Sequence, residues 1–339
     1  MMTYDEVINR GKDLLAQKGL VETKANYNNT LIRPCLPGLG AAGNGLSFLR
    51  NREALSKYYI KNKLLGDNFS PNTNIELFGT KLTLPVFAAP MSGIKTNLRG
   101  IIEEKDFLTS ILSGCRDVGT LGMCGDGFDI TSNYIAPSLI KDVGGIGVCK
   151  PRIFSDLKER VESLKKANVL AVGIDIDGIA GMLLDTNQVT RKSVEELRKI
   201  RSLFSGPMFL KGLLSLEDAV IAHKAGFDAI VVSNHGGRAV DYGLGTADIL
   251  MLISNKLKGK IKILVDGGVR NGYDVFIYLA LGADAVLVGR TMLYSVIGGG
   301  REGVKIVLSK IASDLRKAMV FSGAKKLSDI NFNHIGRYE

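Results

Sequence analysis

The chain has no tryptophan, only three histidines and only four cysteines. Cys35, Cys115, Cys124 and Cys149 lie too far apart for a metal-ligand spacing or a disulfide framework. A reducing cytoplasm is the compartment this predicts, and no metal site is expected. No run of about 18 uncharged apolar residues occurs, so no membrane-spanning helix is expected. The opening stretch Met1-Met2-Thr3-Tyr4-Asp5-Glu6 carries acids and no apolar core, unlike a secretory signal. The formal net charge is +10, yet no basic stripe interleaved with aromatics exists. Lysines and acids are interspersed instead, as in Asp156-Leu157-Lys158-Glu159-Arg160, the pattern of solvated helix faces. Nucleic acid is therefore not an expected partner. The surplus charge favours a small anionic ligand through long-range steering.

Glycine is abundant, with 40 among 339 residues, and many follow short apolar runs. Eight such runs can be counted: 85–89, 119–123, 145–149, 170–174, 207–210, 229–232, 261–265 and 285–288. Each ends in a polar or glycine-bearing turn. Helical periodicity separates several of them, for example Leu157, Val161 and Leu164 in phase within 154–166. Strand and helix alternating about every 28 residues is the signature of βα units. Eight units close as a (β/α)8 TIM barrel, with the polar strand ends on one face. An open doubly wound sheet would place a Gly-rich dinucleotide turn after its first strand, where Ala89-Pro90-Met91-Ser92-Gly93 stands instead. Residues 1–75 are expected to form an N-terminal helical extension, with helices from Thr3 to about Lys18 and from Ser47 to about Leu65. Leu36-Pro37-Gly38-Leu39-Gly40 reads as a turn between them. Residues 76–339 are expected to form the barrel and a C-terminal helix, which runs from about Glu302 to Val320 after a break at Gly298-Gly299-Gly300.

The sixth run, Ala229 to Val232, stops at Ser233-Asn234-His235-Gly236-Gly237-Arg238. An imidazole and a fixed cation at the C-terminal end of a buried strand mark candidate chemistry. The last two runs end in Asp266-Gly267-Gly268-Val269-Arg270 and Gly289-Arg290. Glycines there expose backbone N–H groups and arginines add forked hydrogen bonds, which suits a phosphate.

These motifs, with Asp241, Leu210-Lys211-Gly212, Glu217-Asp218-Ala219, Ala89-Pro90 and Ser47-Phe48-Leu49-Arg50-Asn51-Arg52, resemble the FMN-dependent α-hydroxy-acid oxidase and dehydrogenase family over most of residues 45–295. The resemblance implies FMN as cofactor and a small L-2-hydroxy acid, lactate- or glycolate-like, as substrate. It implies His235 as base, Arg238 as carboxylate clamp, and Lys211 beside the flavin pyrimidine edge. Gly268, Arg270, Gly289 and Arg290 would cradle the phosphate, with Gly267 beside them among the cofactor-binding residues. Asp266 would bind the ribityl chain, and Ser233 would lie by the flavin. Ala89, Pro90 and Met91 would line the ring. The family pairs its base with an aspartate at the end of strand four. Asp175 and Asp177 both stand there, and alignment of the surrounding run favours Asp177. A homo-oligomer, often a tetramer, is also implied.

Several departures qualify the substrate. The family's second clamping arginine has no counterpart in Gly178-Ile179-Ala180-Gly181-Met182-Leu183-Leu184, a loss of about 2–3 kcal/mol if nothing replaces it. Neither active-site tyrosine is found: Leu36-Pro37-Gly38 stands near one and Val148-Cys149-Lys150 replaces the other. Lys150 is expected either to supply the missing cation or to contact the flavin. The loop after strand four is short, so a reduced lid is expected. The alternatives are a related FMN barrel of the type 2 isopentenyl diphosphate isomerase kind, or a flavin-binding barrel without catalysis.

Overall fold

Residues 2–20, 40–127, 134–183 and 189–338 are described in the computed structural model. Its centre is a closed barrel of eight parallel strands: β4 (Val86–Met91), β5 (Gly122–Cys124), β6 (Ile146–Cys149), β7 (Val172–Asp175), β8 (Met208–Leu213), β9 (Ala229–Val232), β10 (Lys262–Val265) and β11 (Ala285–Val288). β11 pairs with β4 to complete the ring. The strands form because each is a short, largely apolar run that is mostly buried on both faces. Period-two alternation divides them. Phe87, Val148, Phe209, Val231, Leu264 and Leu287 fill the lumen, whereas Val86, Val172, Ile230, Val265 and Val288 pack outward against helices. Each fully buried side chain of this size contributes about 1.5–3 kcal/mol.

The same parity positions the chemistry. Counting on by two from lumen residues reaches Met91, Lys150, Lys211, Ser233, Asp266 and Gly289 at the C-terminal rim. At the other end, the hairpin of β2 (Ile75–Leu77) and β3 (Thr80–Leu82) plugs the lumen. Leu77 and Leu82 are buried there, and Phe78 stacks on Phe209 at 6.1 Å.

Around the barrel lie α3 (Ile94–Asn97), α4 (Glu104–Asp117), α5 (Ala136–Val143), α6 (Phe154–Lys166), α7 (Val194–Arg201), α8 (Leu216–Lys224), α9 (Thr246–Leu257), α10 (Gly272–Ala280) and α11 (Arg290–Ser322). Ahead of it stand α1 (Tyr4–Gln17) and α2 (Leu46–Ser56). A capping box between Thr3 and Glu6 starts α1.

Three expected boundaries differ. The helix from Ser47 stops at Ser56, because Tyr58-Tyr59-Ile60 forms β1 and pairs antiparallel with β12 (Ile335–Arg337). The segment ahead of the barrel thus carries a strand as well as helices. The second barrel strand begins at Gly122 rather than Gly119, since Gly119 takes φ +74° to end the turn after α4. The C-terminal helix begins at Arg290 and kinks at Gly300. Gly298 lies within the helix, where a side chain would collide with the Val7 carbonyl of α1, and Gly11 meets the Tyr294 carbonyl in the same way. The glycine cluster therefore serves close helix packing as well as the break. Leu36-Pro37-Gly38-Leu39 lies outside the described residues, as do 184–188 of the loop after strand four.

Candidate active site

The C-terminal rim encloses a cavity of about 1370 Å³. Ala89, Pro90, Met91, Lys150, Asp177, Lys211, His235, Arg238, Asp266, Gly267, Gly268, Arg270, Gly289 and Arg290 all line it. Ser233 does not line it. Its side chain is fully buried, and Oγ accepts the His235 backbone N–H at 3.0 Å.

His235 sits on a short 3-10 turn after β9 with φ +56°, an uncommon conformation for a residue with a side chain. Neighbouring contacts over-determine that turn. The Asn234 and Asn51 amides bond reciprocally at 2.9 and 3.0 Å, both buried. Asn234 also donates to the Ser47 and Leu244 carbonyls and accepts from Gly237 N–H, while Asn51 accepts from Thr246 N–H. Asp241 accepts the Asn44 and Ser47 backbone N–H groups at 2.6 and 3.0 Å, holding the start of α2 against this loop. Arg290 Nη1 donates to the Gly236 carbonyl at 3.0 Å. Gly237 has φ +78°, and an added Cβ would meet the Phe48 backbone nitrogen and lie 2.6 Å from its Cα. Replacing Gly237 by alanine is expected to cost about 1–3 kcal/mol and to displace His235. Urea unfolding measures the first effect and turnover the second.

His235 Nδ1 lies 2.8 Å from Asp177 Oδ1 and 3.6 Å from Asp175 Oδ2. Period two left either aspartate able to face inward. The 3-10 turn at Ile176–Leu183 swings Asp177 onto the imidazole, while Asp175 meets two lysines. Lys150 Nζ donates to Asp175 Oδ2 at 2.9 Å and Lys211 Nζ to Oδ1 at 3.0 Å. Burial pushes the Asp175 carboxyl up, but Lys150, Lys211 and His235 outweigh it and hold it well below the usual carboxylate range. Burial pushes the Lys211 ammonium down, while Asp175, Asp177 and Asp266 more than compensate and keep it protonated. Asp175, Asp177 and His235 offer donor atoms within 4.8 Å of one another, a spacing that suits a metal ion. Two ammonium groups already occupy Asp175, however, and would repel a cation.

A depressed folded-state pKa adds stability above the unfolded value of about 3.9 and loses it as pH falls toward the folded value. Asp175 is such a group. Thermal unfolding followed from pH 6 downward should show stability lost below about pH 4, and Asp175→Asn should flatten that limb.

The other end of the cavity is cationic. Burial pushes Arg290 down to about 10, with Arg238 and Arg270 adding repulsion. Its guanidinium stacks 4.5 Å over Phe48 and donates to the Gly40 carbonyl, yet Nε is buried without a partner. Arg52 Nη1 bonds the Gly268 carbonyl and Asp274, both at 2.7 Å, and Tyr4 Oη donates to the Arg270 carbonyl at 2.9 Å. Tyr4 and Arg52 thus tie α1 and α2 to the turn at 266–270, and Phe48 brings α2 against Arg290. Asp266 Oδ1 and Asp177 Oδ2 are likewise buried without partners. Burial raises Asp266, partly offset by Lys211 and the Ser233 hydroxyl. Burial lowers Arg238, whose guanidinium makes no hydrogen bond among the described residues.

Sequence reasoning held Asp175 only as the alternative to Asp177, and it quoted Asn51, Arg52 and Asn234 within motifs without giving them a role. Asp175 had a signal in its spacing from Asp177. The Asn51–Asn234 clasp joins residues 183 apart, and nothing local announces it.

A family model described as FMN-dependent dehydrogenase matches residues 39–108 and 155–337. A peroxisomal (S)-2-hydroxyacid oxidase of Arabidopsis thaliana is 42% identical over 163 residues, covering 48% of this chain and 44% of that protein. An L-lactate dehydrogenase of Pseudomonas entomophila is 47% identical over 145 residues, covering 43% and 38%. The matched stretch thus spans less than half the length of these curated relatives. A crystal structure of mandelate oxidase with benzoyl-formic acid superposes with a TM-score of 0.79 at 26% identity, covering 100% of this chain and 98% of that one.

Proposed function

The chain belongs to the FMN-dependent dehydrogenase family, and from that premise we propose that it oxidises a small L-2-hydroxy acid to the 2-oxo acid with FMN as electron acceptor. One observation carries the reading. His235, held at Nδ1 by Asp177, opens onto the same cavity as an Arg238 guanidinium without a hydrogen bond among the described residues. A 2-hydroxy acid needs both a proton acceptor and an anion clamp.

The residues present fit FMN. A phosphate is a match for the N–H groups of Gly267 and Gly268, for Arg270 and the unpartnered Nε of Arg290, and for the first turn of α11. The orphaned Asp266 Oδ1 suits a ribityl hydroxyl, and Lys211 suits the pyrimidine edge. Ala89, Pro90 and Met91 supply the backbone wall against the ring. Bound there, FMN would supply the acceptor for the electron pair that leaves the substrate α-carbon.

The protein groups divide the remaining work. Arg238 orients the substrate through its carboxylate. With Asp177 accepting from Nδ1–H, the lone pair of His235 sits on Nε2, which takes a substrate proton. Asp177 then stabilises the imidazolium. Lys211 stabilises negative charge arriving on the cofactor side.

The same proposal extends to a cytoplasmic homo-oligomer, supported by the scattered cysteines and the family resemblance. Light scattering tests the assembly. No helix among the described residues is long and apolar enough to cross a membrane. The isomerase-like alternative is not favoured, since the relatives named above are oxidoreductases of hydroxy acids. The test is product formation: FMN-loaded protein, L- and D-enantiomers of a 2-hydroxy-acid panel, and an artificial electron acceptor. A 2-oxo acid from an L-enantiomer is expected. A panel yielding none removes the substrate assignment.

A further inference from the structure

The ends of β6, β7 and β8 bring Lys150, Asp175 and Lys211 into one bridge, with side chains only 11%, 8% and 4% exposed. Asp175 takes one ammonium on each oxygen, at 2.9 and 3.0 Å. Its Oδ2 also lies 3.6 Å from His235 Nδ1. A buried bridge of this kind is a poor way to add stability, because desolvation of three charges offsets most of their attraction. Its location suggests another use. All three residues line the cavity that holds the catalytic imidazole.

Among the described residues, the charged groups nearest Asp175 and Lys211 carry both signs. Lys150, Lys211 and Arg238 face Asp175, Asp177 and Asp266. We propose that Asp175 is a positioning residue that sets the charge balance of the cofactor site, holding both ammonium groups in place while cancelling one of them. The inference rests on the FMN reading above. A reduced flavin carries more negative charge than an oxidised one, so an added cation favours reduction and an added anion opposes it. In a pocket shielded from water such charges act strongly. Asp175 therefore keeps the reduction potential below the value the site would have without its carboxylate.

The test is the two-electron reduction potential of the bound flavin in the FMN-loaded protein, which does not depend on turnover. D175N, which removes a negative charge, is expected to raise the potential. K150M, which removes a positive charge, is expected to lower it. Each shift should reach at least tenfold in the ratio of reduced to oxidised affinity, about 30 mV for a two-electron couple. The double variant D175N/K150M removes one charge of each sign and should return close to the parent value. A bridge that is only structural would move all three variants in one direction, which overturns the inference. An unchanged or lowered potential in D175N overturns it too. Where D175N takes up no FMN, K150M decides: a fall supports the inference, and no change or a rise overturns it. A parent protein that binds no flavin overturns the cofactor reading and this inference with it. A parent that binds flavin but lacks the sign pattern overturns this inference alone.

Discussion

Replacing His235 by alanine is expected to lower turnover by about 10²- to 10⁴-fold while leaving FMN uptake near the parental level. The size follows from removing a positioned proton acceptor, since no other side chain among those placed here duplicates the Nε2 position. Asp177 and Asp175 lie on the far side of the ring, against Nδ1. Cofactor uptake should survive because the glycine-arginine turns at 266–270 and 289–290 are built on β10, β11 and the first turn of α11. Arg290 does touch the His235 loop through the Gly236 carbonyl, but that is a backbone contact which alanine preserves. Turnover with the preferred hydroxy acid and flavin content after reconstitution are the two readings. A variant that keeps the parental rate would show that the proton leaves by another route.

The second large effect is on stability. Asn51→Ala is expected to cost about 3 kcal/mol, measured by urea unfolding. The substitution removes a buried acceptor for Thr246 N–H and for Asn234, and a buried donor to Asn234 Oδ1. Thr246 N–H is then left buried without that acceptor, which costs about 1–3 kcal/mol. Each of the two lost amide bonds to Asn234, which keeps other partners, adds about 0.5–1.5 kcal/mol. Asn234→Ala should cost a similar amount. The double variant should lose less than the sum of the two by at least about 1 kcal/mol, because each single variant already breaks the shared bonds. Strict additivity would mean that the reciprocal amide pair is not the joint between α2 and the His235 loop. Because that loop holds a histidine at φ +56°, both variants should also turn over more slowly than their stability alone predicts.

The barrel was legible in the sequence because its signal is local. Eight apolar runs, each ending in a polar or glycine turn, carry both the strand period and the direction in which function points. The boundaries were less legible. Tyr58-Tyr59-Ile60 continues a helical spacing, and only its pairing with residues 335–337 makes it a strand. Gly298 reads as a breaker by type, yet its position is dictated by the approach of Val7 from α1. In the site, His235, Arg238 and the glycine-arginine turns stood out by residue type at strand ends. The choice between Asp175 and Asp177 depended on a 3-10 turn that no periodicity encodes. The supports contributed by Tyr4, Asn51 and Arg52 were out of reach for the same reason, since their partners lie from 183 to 266 residues away.

Anaerobic mixing of the FMN-loaded protein with an L-2-hydroxy acid tests most directly whether one cavity joins the base, the carboxylate clamp and the cofactor. The account predicts that the yellow colour bleaches, with one equivalent of acid consumed per flavin and one 2-oxo acid released. A protein that stays colourless after incubation with FMN, or a bound flavin that no 2-hydroxy acid reduces, would contradict it.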